Sequence, residues 1–158
     1  MRTERLTLTP PVADDAGFVL ELLNDPGWIA NIGDRGVRTL DGARAYIEER
    51  FSKSPWFVVR DAAGQPLGMC GVVVGRDGLD SPDIGYAFLA RHSGQGYATE
   101  AAAAVLRHAR ETMGLTKLAA ITTPTNTASQ RVLEKLGFRF VQMINLPGSE
   151  EPSAYFVI

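Results

Sequence analysis

The feature that most constrains this chain is a pair of glycines set between a strand pattern and a helix pattern. Ile84–Leu89 is rich in strand formers, Gly94 and Gly96 follow with one residue between them, and an alanine-rich segment begins at Tyr97. A strand–glycine–helix junction presents free backbone N–H groups at the positive end of a helix dipole. The sequence therefore predicts an anion site at this turn, with phosphate as the most common occupant.

The glycine turn differs from two widespread phosphate-binding motifs. The spacing and the lysine–hydroxyl pair of a Walker loop are absent. A dinucleotide fingerprint would need a third glycine and an early position in the chain, whereas this turn follows strands of antiparallel type. The local pattern thus indicates an anion site without identifying the ligand.

Composition limits the class of protein. The chain has 158 residues, 45% of them hydrophobic, and a formal net charge of -2, which fits one domain over residues 1–158 and gives no reason to expect nucleic acid or membrane partners. The single cysteine, Cys70, lies in an apolar strand pattern and predicts neither a disulfide nor a metal site. The N-terminus lacks the apolar stretch of a signal peptide, so we expect a cytoplasmic protein.

The hydrophobic patterns predict a mixed α/β domain. Two helical segments precede an antiparallel strand pair, and a third strand leads into the glycine turn and a long helix that ends at Gly114. The strand at Leu118–Thr123 follows that helix, so a right-handed crossover should make these two strands parallel. Thr125 or Asn126 caps another helix, and two strands finish the chain. The segment Trp28–Arg38 is predicted to be a loop, with or without a short helix.

Three blocks in the same order resemble the GNAT superfamily of N-acetyltransferases, and within it the RimJ/RimL-like branch. They are Thr3–Leu8, the run Gly94–Ala101 that reads Gly-Gln-Gly-Tyr-Ala-Thr-Glu-Ala, and Asn126–Phe138 with its Asn-x-x-Ser and Lys-Leu-Gly-Phe elements. The pyrophosphate pattern [Gln/Arg]-x-x-Gly-x-[Gly/Ala] fits from Arg91 without a mismatch. We prefer the register that begins at Ser93. Ser93 departs from the Gln or Arg of the pattern, but this register keeps the run Gly94–Ala101 that is typical of the branch.

The resemblance implies the fold and the cofactor. The expected architecture is a GNAT-like mixed, mostly antiparallel sheet with a parallel splayed strand pair and flanking helices. Acetyl-CoA would be the co-substrate, its pyrophosphate on the glycine turn and its pantetheine arm in the gap between the splayed strands. The residues implied in binding acetyl-CoA are Phe88, Leu89, Ala90, Gly94, Gln95, Gly96, Tyr97, Ala98, Thr99, Asn126 and Ser129.

Catalysis would need three groups. An N–H near Leu89 could polarise the thioester carbonyl. A base for the amine could be Asp83, Glu100 or Glu134, with Asp83 preferred because it begins the strand that borders the cleft. By resemblance, Ser129 would protonate the departing thiolate, with Tyr86 and Tyr155 as weaker alternatives.

The leading hypothesis is an N-acetyltransferase whose acceptor is a primary amine, on a protein N-terminus or on a small molecule. The acceptor pocket would lie between Trp28–Arg38 and Pro147–Pro152, although Trp28, Ile29 and Ile32 fit core packing better than a pocket. The alternative is a non-catalytic module that binds and senses acyl-CoA. The apolar final strand, Tyr155–Ile158, is predicted to lie at a sheet edge, where it could form a homodimer.

Overall fold

The computed structural model describes all 158 residues, which form one seven-stranded sheet with helices on both faces. The strands are β1 (Thr7–Thr9), β2 (Trp56–Arg60), β3 (Pro66–Val73), β4 (Asp83–Phe88), β5 (Ala119–Thr122), β6 (Arg139–Ile144) and β7 (Ser153–Val157). The helices are α1 (Ala16–Leu23), α2 (Pro26–Asn31), α3 (Leu40–Arg50), α4 (Tyr97–Glu111) and α5 (Thr127–Lys135).

The sheet has the order β1-β2-β3-β4-β5-β7-β6, and every neighbouring pair is antiparallel except β4 and β5. The parallel pair comes from the crossover through α4, as the strand–helix–strand order predicts. The expected mixed, mostly antiparallel sheet with one parallel pair is confirmed.

Side chains alternate between the two faces of each strand and build one core on each side of the sheet. On one face, α4 contributes Ala101, Ala102 and Val105 to a core of 19 buried residues. On the other face, α1 and α3 pack with Val58, Met69 and Leu89 in a core of 11 buried residues. The helical spacing of apolar residues in α4 explains its placement, because one stripe of that helix is continuously buried.

The parallel strands separate soon after they meet. Their register contains one pair, Asp83 with Ala119, next to a backbone hydrogen bond of 2.8 Å from Ala119 N to Pro82 O. The carboxyl end of β4 then leads to the glycine turn, whereas that of β5 leads to the start of α5. The predicted gap between the splayed strands is therefore closed at Asp83. It is open at the carboxyl ends of β4 and β5, which lead to the glycine turn and to the start of α5.

One feature decides between two expectations and another differs from the expectation. The segment Trp28–Arg38, predicted as a loop with or without a short helix, does contain helical residues: they belong to α2, which begins earlier, with Pro26 at its first position and Asp25 accepting a hydrogen bond from Gly27 N at 3.0 Å. The final strand, β7, lies between β5 and β6 and is not an edge. The prediction of a homodimer through Tyr155–Ile158 is wrong in that respect, because the free edge on this side belongs to β6.

Candidate active site

The glycine turn has the backbone geometry that only glycine adopts readily. Gly94 and Gly96 have φ values of +76° and +79°, in the left-handed region, and Gly96 directly precedes the first residue of α4. A Cβ added at Gly94 would meet no atom of the protein within 4 Å. The turn thus leaves open space at Gly94, at the amino end of a 15-residue helix.

Six consecutive backbone N–H groups, from Gly94 to Thr99, have no hydrogen-bond acceptor within the protein. The first helical bond of α4 is made by the next residue, Glu100, whose N–H donates to Gly96 O at 3.1 Å. The last three of these groups, from Tyr97 to Thr99, are the unpaired donors of a helix amino terminus, and the first three extend the set backward through the turn. Such a row of donors fits an anion with several oxygens.

The N-terminal segment holds the turn from outside. Glu100 accepts from Thr3 Oγ1 at 2.6 Å, from Arg5 N at 2.8 Å and from Arg5 Nε at 2.7 Å. Arg5 also donates from Nη1 to Gln95 O at 2.8 Å, and its guanidinium lies 4.7 Å from the centre of the Tyr97 ring. This contact could not be predicted from the sequence, because nothing local joins residues 95 positions apart.

These contacts give Glu100 a structural role. Burial opposes ionisation of its carboxyl group, but the hydrogen bonds from Thr3 and Arg5 outweigh it and lower the pKa of Glu100 below its usual value. Both of its oxygens are already bound, so it is not free to accept a proton from an amine. The structure therefore disfavours Glu100 as the general base.

The register of β4 decides which backbone groups face the gap. Leu89 N donates to Leu67 O of β3 at 3.0 Å, and Ala90 N donates to the Asp25 carboxylate at 3.1 Å. Because hydrogen bonds of an antiparallel pair alternate in direction, Tyr86 and Phe88 direct their backbone N–H and C=O groups away from β3. The predicted N–H near Leu89 is therefore not that of Leu89 itself, which is bound to β3, and the free groups close to it are those of Tyr86 and Phe88.

Hydrogen bonds connect Tyr86 of β4 to Ser129 and Asn126 at the start of α5. The Tyr86 hydroxyl lies 2.9 Å from Ser129 Oγ and 3.0 Å from Ser129 O. Ser129 N in turn donates to the side chain of Asn126 at 3.1 Å, which makes Asn126 the N-cap of α5. Burial raises the pKa of Tyr86 to about 12, so its hydroxyl stays protonated at neutral pH.

Thr122 provides a further buried hydroxyl. Ala120 belongs to the core on the α4 side, and Thr122 shares that face of β5 because it lies two residues further along the strand. Its Oγ1 is buried and has no hydrogen-bond partner within the protein. Thr122 is therefore a buried hydroxyl without a hydrogen-bond partner at the open end of β5.

Asp83 lies away from these groups. It is at the closed end of the gap, its side chain is 1% exposed, and Arg76 Nε donates to its Oδ1 at 2.9 Å. Burial raises the pKa of Asp83, and the Arg76 guanidinium offsets part of that increase. Strand alternation places the side chains of Asp83 and Tyr86 on opposite faces of the sheet. The structure therefore does not bring Asp83 together with Ser129.

Helix α2 borders the open end of the gap. Thr123, just after β5, donates from its hydroxyl to Asn31 Oδ1 at 3.0 Å. Trp28 is 6% exposed and packs in the core, whereas Ile29 and Ile32 are 40% and 41% exposed. The packing interpretation is thus confirmed for Trp28 and is wrong for the two isoleucines, which present an apolar surface beside the gap.

A cavity of about 740 Å³ lies apart from the site, between α3 and the Pro10–Ala13 segment, and none of the candidate residues lines it. No group of three His, Cys, Asp or Glu side chains could hold a metal ion. None of the helices is both long enough and apolar enough to cross a membrane.

The fold and the open turn at the start of α4 agree with comparisons to known proteins. The profile described as "Acetyltransferase (GNAT) domain" matches residues 5–139, so the chain belongs to the GNAT acetyltransferase family. This confirms the family expected from the three sequence blocks.

Particular relatives are similar in sequence or in fold. A Bacillus subtilis (strain 168) protein, "Uncharacterized protein YkkB", is 38% identical over 138 residues, covering 83% of this chain and 79% of the relative. A GNAT-family acetyltransferase from Bacillus anthracis has 26% identity and a TM-score of 0.85, covering 100% of this chain and 96% of the other. RimL, a ribosomal L7/L12 alpha-N-protein acetyltransferase in complex with coenzyme A, shares the fold with a TM-score of 0.84 at 13% identity, covering 99% of this chain and 94% of the other.

Proposed function

We propose that this protein is an N-acetyltransferase that transfers the acetyl group of acetyl-CoA to a primary amine. The observation that carries the proposal is the row of six unpaired backbone N–H groups from Gly94 to Thr99. They lie at the amino end of α4, beside the open end of the gap between β4 and β5. Membership of the GNAT family makes an acyl-CoA the expected donor.

The residues present fit the donor's pyrophosphate. The turn offers N–H donors, a helix dipole equivalent to about half a positive charge, and open space where a side chain at Gly94 would stand. The free N–H and C=O groups of Tyr86 and Phe88 would pair with the amide-bearing arm in the gap, much as an added strand pairs with a sheet edge. Asn126 and Ser129 would contact the arm from the start of α5.

Acyl transfer then requires little more than positioning. The amine nitrogen attacks the thioester carbonyl carbon, the C–S bond breaks, and a free N–H of β4 stabilises the charge that develops on the carbonyl oxygen. The leaving thiolate takes a proton from the Ser129 hydroxyl, Tyr86 resupplies it through their hydrogen bond, and the proton that the attacking nitrogen loses as the amide forms returns to Tyr86 through solvent. Before the attack, the ammonium form of the acceptor releases its first proton to solvent, which an α-amino group with a pKa near 8 does more easily than a lysine side chain near 10.4.

Calorimetric titration with acetyl-CoA, followed by thiol release on a panel of amines, tests this function. The panel should include N-terminal peptides, polyamines and amino acids. Cys70 is buried and burial raises the pKa of its thiol, so a thiol reagent will report released CoA and not the protein. Turnover with at least one amine supports the proposal, whereas tight binding without turnover on any of them favours the alternative, a non-catalytic acyl-CoA-binding module.

A pair of glycine variants tests the location of the donor site. Gly94 and Gly114 have φ values of +76° and +68°, and a Cβ at either position would meet nothing within 4 Å. Gly94→Leu and Gly114→Leu should each cost about 1–2 kcal/mol of stability through left-handed strain. Gly94→Leu alone should weaken CoA binding, by about tenfold or more. Equal CoA affinity in the two variants would contradict the proposed site.

A further inference from the structure

We propose that Arg5 supplies the positive charge of the phosphate site, a role that rests on the proposed use of acetyl-CoA. No residue from Ser93 to Thr99 carries a cationic side chain. The side chain of Arg91, which comes just before the turn, hydrogen-bonds only to Glu21 of α1 and makes no bond to the turn, unlike that of Arg5, which bonds to Gln95 O. The segment that carries the backbone donors therefore has no cationic side chain of its own to neutralise the negative charge of a pyrophosphate.

Arg5 reaches the turn from the N-terminal segment. Its Nη2 atom lies 3.3 Å from the position that a Cβ on Gly96 would occupy, which places the guanidinium directly beside the residue that precedes α4. Its side chain is 45% exposed, so a ligand on the turn can approach it. A positive charge at this place adds to the field of the helix dipole.

The hydrogen bonds of Arg5 fix its orientation and leave donors free. Nε is bound to Glu100 and Nη1 to Gln95 O, whereas Nη2 makes no hydrogen bond within the protein. The ring of Tyr97 supports the guanidinium at 4.7 Å. An arginine held in this way loses little side-chain freedom when it binds a phosphate oxygen, and its planar fork suits phosphate geometry.

The same contacts could also serve only to anchor the N-terminal segment, and Glu100 provides the control that separates the two roles. Arg5→Gln and Glu100→Gln remove the same ion pair, so they should lower the melting temperature by similar amounts. Only Arg5→Gln removes the positive charge. We expect it to weaken CoA binding roughly tenfold to a hundredfold, while Glu100→Gln stays within about threefold of the wild type, since it removes a negative charge near the anion.

Titration calorimetry with CoA, at two salt concentrations, measures these affinities. The wild type should lose more affinity with added salt than Arg5→Gln does, because the variant lacks one screened charge interaction. Arg5→Lys should recover part of the affinity, since it keeps the charge without the fork. Equal losses of affinity in Arg5→Gln and Glu100→Gln, or no loss in Arg5→Gln, would overturn the proposal and leave Arg5 as an anchor.

Dephospho-CoA identifies which phosphate is involved. It retains the pyrophosphate and lacks the 3′-phosphate, so the loss caused by Arg5→Gln should persist with it. A loss that vanishes with dephospho-CoA would overturn the assignment of Arg5 to the pyrophosphate. A wild-type protein that binds no CoA would instead refute the proposed function itself, and the inference about Arg5 with it.

Discussion

The Tyr86 hydroxyl lies 2.9 Å from Ser129 Oγ and connects the strand that precedes the glycine turn to the first turn of α5. The two residues are 43 positions apart, and the connection crosses the side of the gap where β4 and β5 no longer pair. A donor arm in that gap would therefore run beside a hydroxyl pair in which burial raises the pKa of Tyr86 to about 12 and keeps its hydroxyl protonated at neutral pH.

Removal of either hydroxyl should slow the reaction more than it weakens binding. We expect Tyr86→Phe and Ser129→Ala each to lower kcat roughly tenfold to a hundredfold, with KM for acetyl-CoA changed by only a few-fold. The double variant should be little worse than the poorer single variant, because the two groups act as one unit. Steady-state kinetics on the best acceptor measures all three.

Tyr155→Phe is the matched control for this pair. Tyr155 pairs with Ile121 in the β5–β7 register and so lies on the face opposite to Thr122. The variant should keep its kcat. A large loss of kcat in Tyr155→Phe together with normal rates in Tyr86→Phe would refute the assignment of the proton donor to the Tyr86–Ser129 pair.

Glu100 should contribute to stability in a pH-dependent way. Its pKa is lowered in the folded protein, so its contribution is present above the unfolded value of about 4.5 and is lost as pH falls through the folded value. Glu100→Gln should therefore be less stable than the wild type at pH 7, by about 1–3 kcal/mol. Urea unfolding at pH 7 and pH 3.5 should show the difference becoming smaller at the lower pH. A difference that does not depend on pH would contradict this account.

The sequence predicted the elements that carry local signals. Helix α4 follows from the period of its buried alanines and from Gly96, and α5 follows from the capping residue Asn126. Helix α2 was predicted only as an optional short helix in a loop that begins at Trp28, since the glycines at 27, 33 and 36 obscured a start signal that Asp25 and Pro26 do provide.

Features that depend on long-range pairing could not be predicted in the same way. The interior position of β7 depends on its pairing with both β5 and β6. The free N–H groups at Tyr86 and Phe88, instead of Leu89, depend on the register with β3, and a shift of one residue would exchange them. The contact of Arg5 with Gln95 likewise requires the folded chain.

Asn126 was expected to cap a helix, to contact the donor arm, or both, and two substitutions separate these roles. Asn126→Ala should lose about 1 kcal/mol of stability, because Ser129 N loses its acceptor. Asn126→Asp should retain the cap, since aspartate is an equally good N-cap residue. Both should weaken CoA binding if the amide NH₂ group donates to the arm. Thermal unfolding and calorimetry measure the two effects, and normal CoA affinity in both variants would leave Asn126 as a cap only.

Asp83 offers the sharpest test among the carboxylates, because its partner provides a matched control. It is 1% exposed and bound to Arg76, which is itself 35% exposed. Asp83→Asn and Arg76→Gln break the same ion pair, and each should lower stability by about 1–3 kcal/mol, less than the 3–5 kcal/mol typical of a fully buried pair.

If the ion pair between Asp83 and Arg76 is structural, both variants should also have similar kcat values and similar pH–rate profiles. A kcat at least tenfold lower in Asp83→Asn than in Arg76→Gln, with loss of the acidic limb of the profile, would instead identify Asp83 as the base. The buried position of Asp83 at the closed end of the gap favours the first result, because an amine at the open end has no direct contact with that carboxylate.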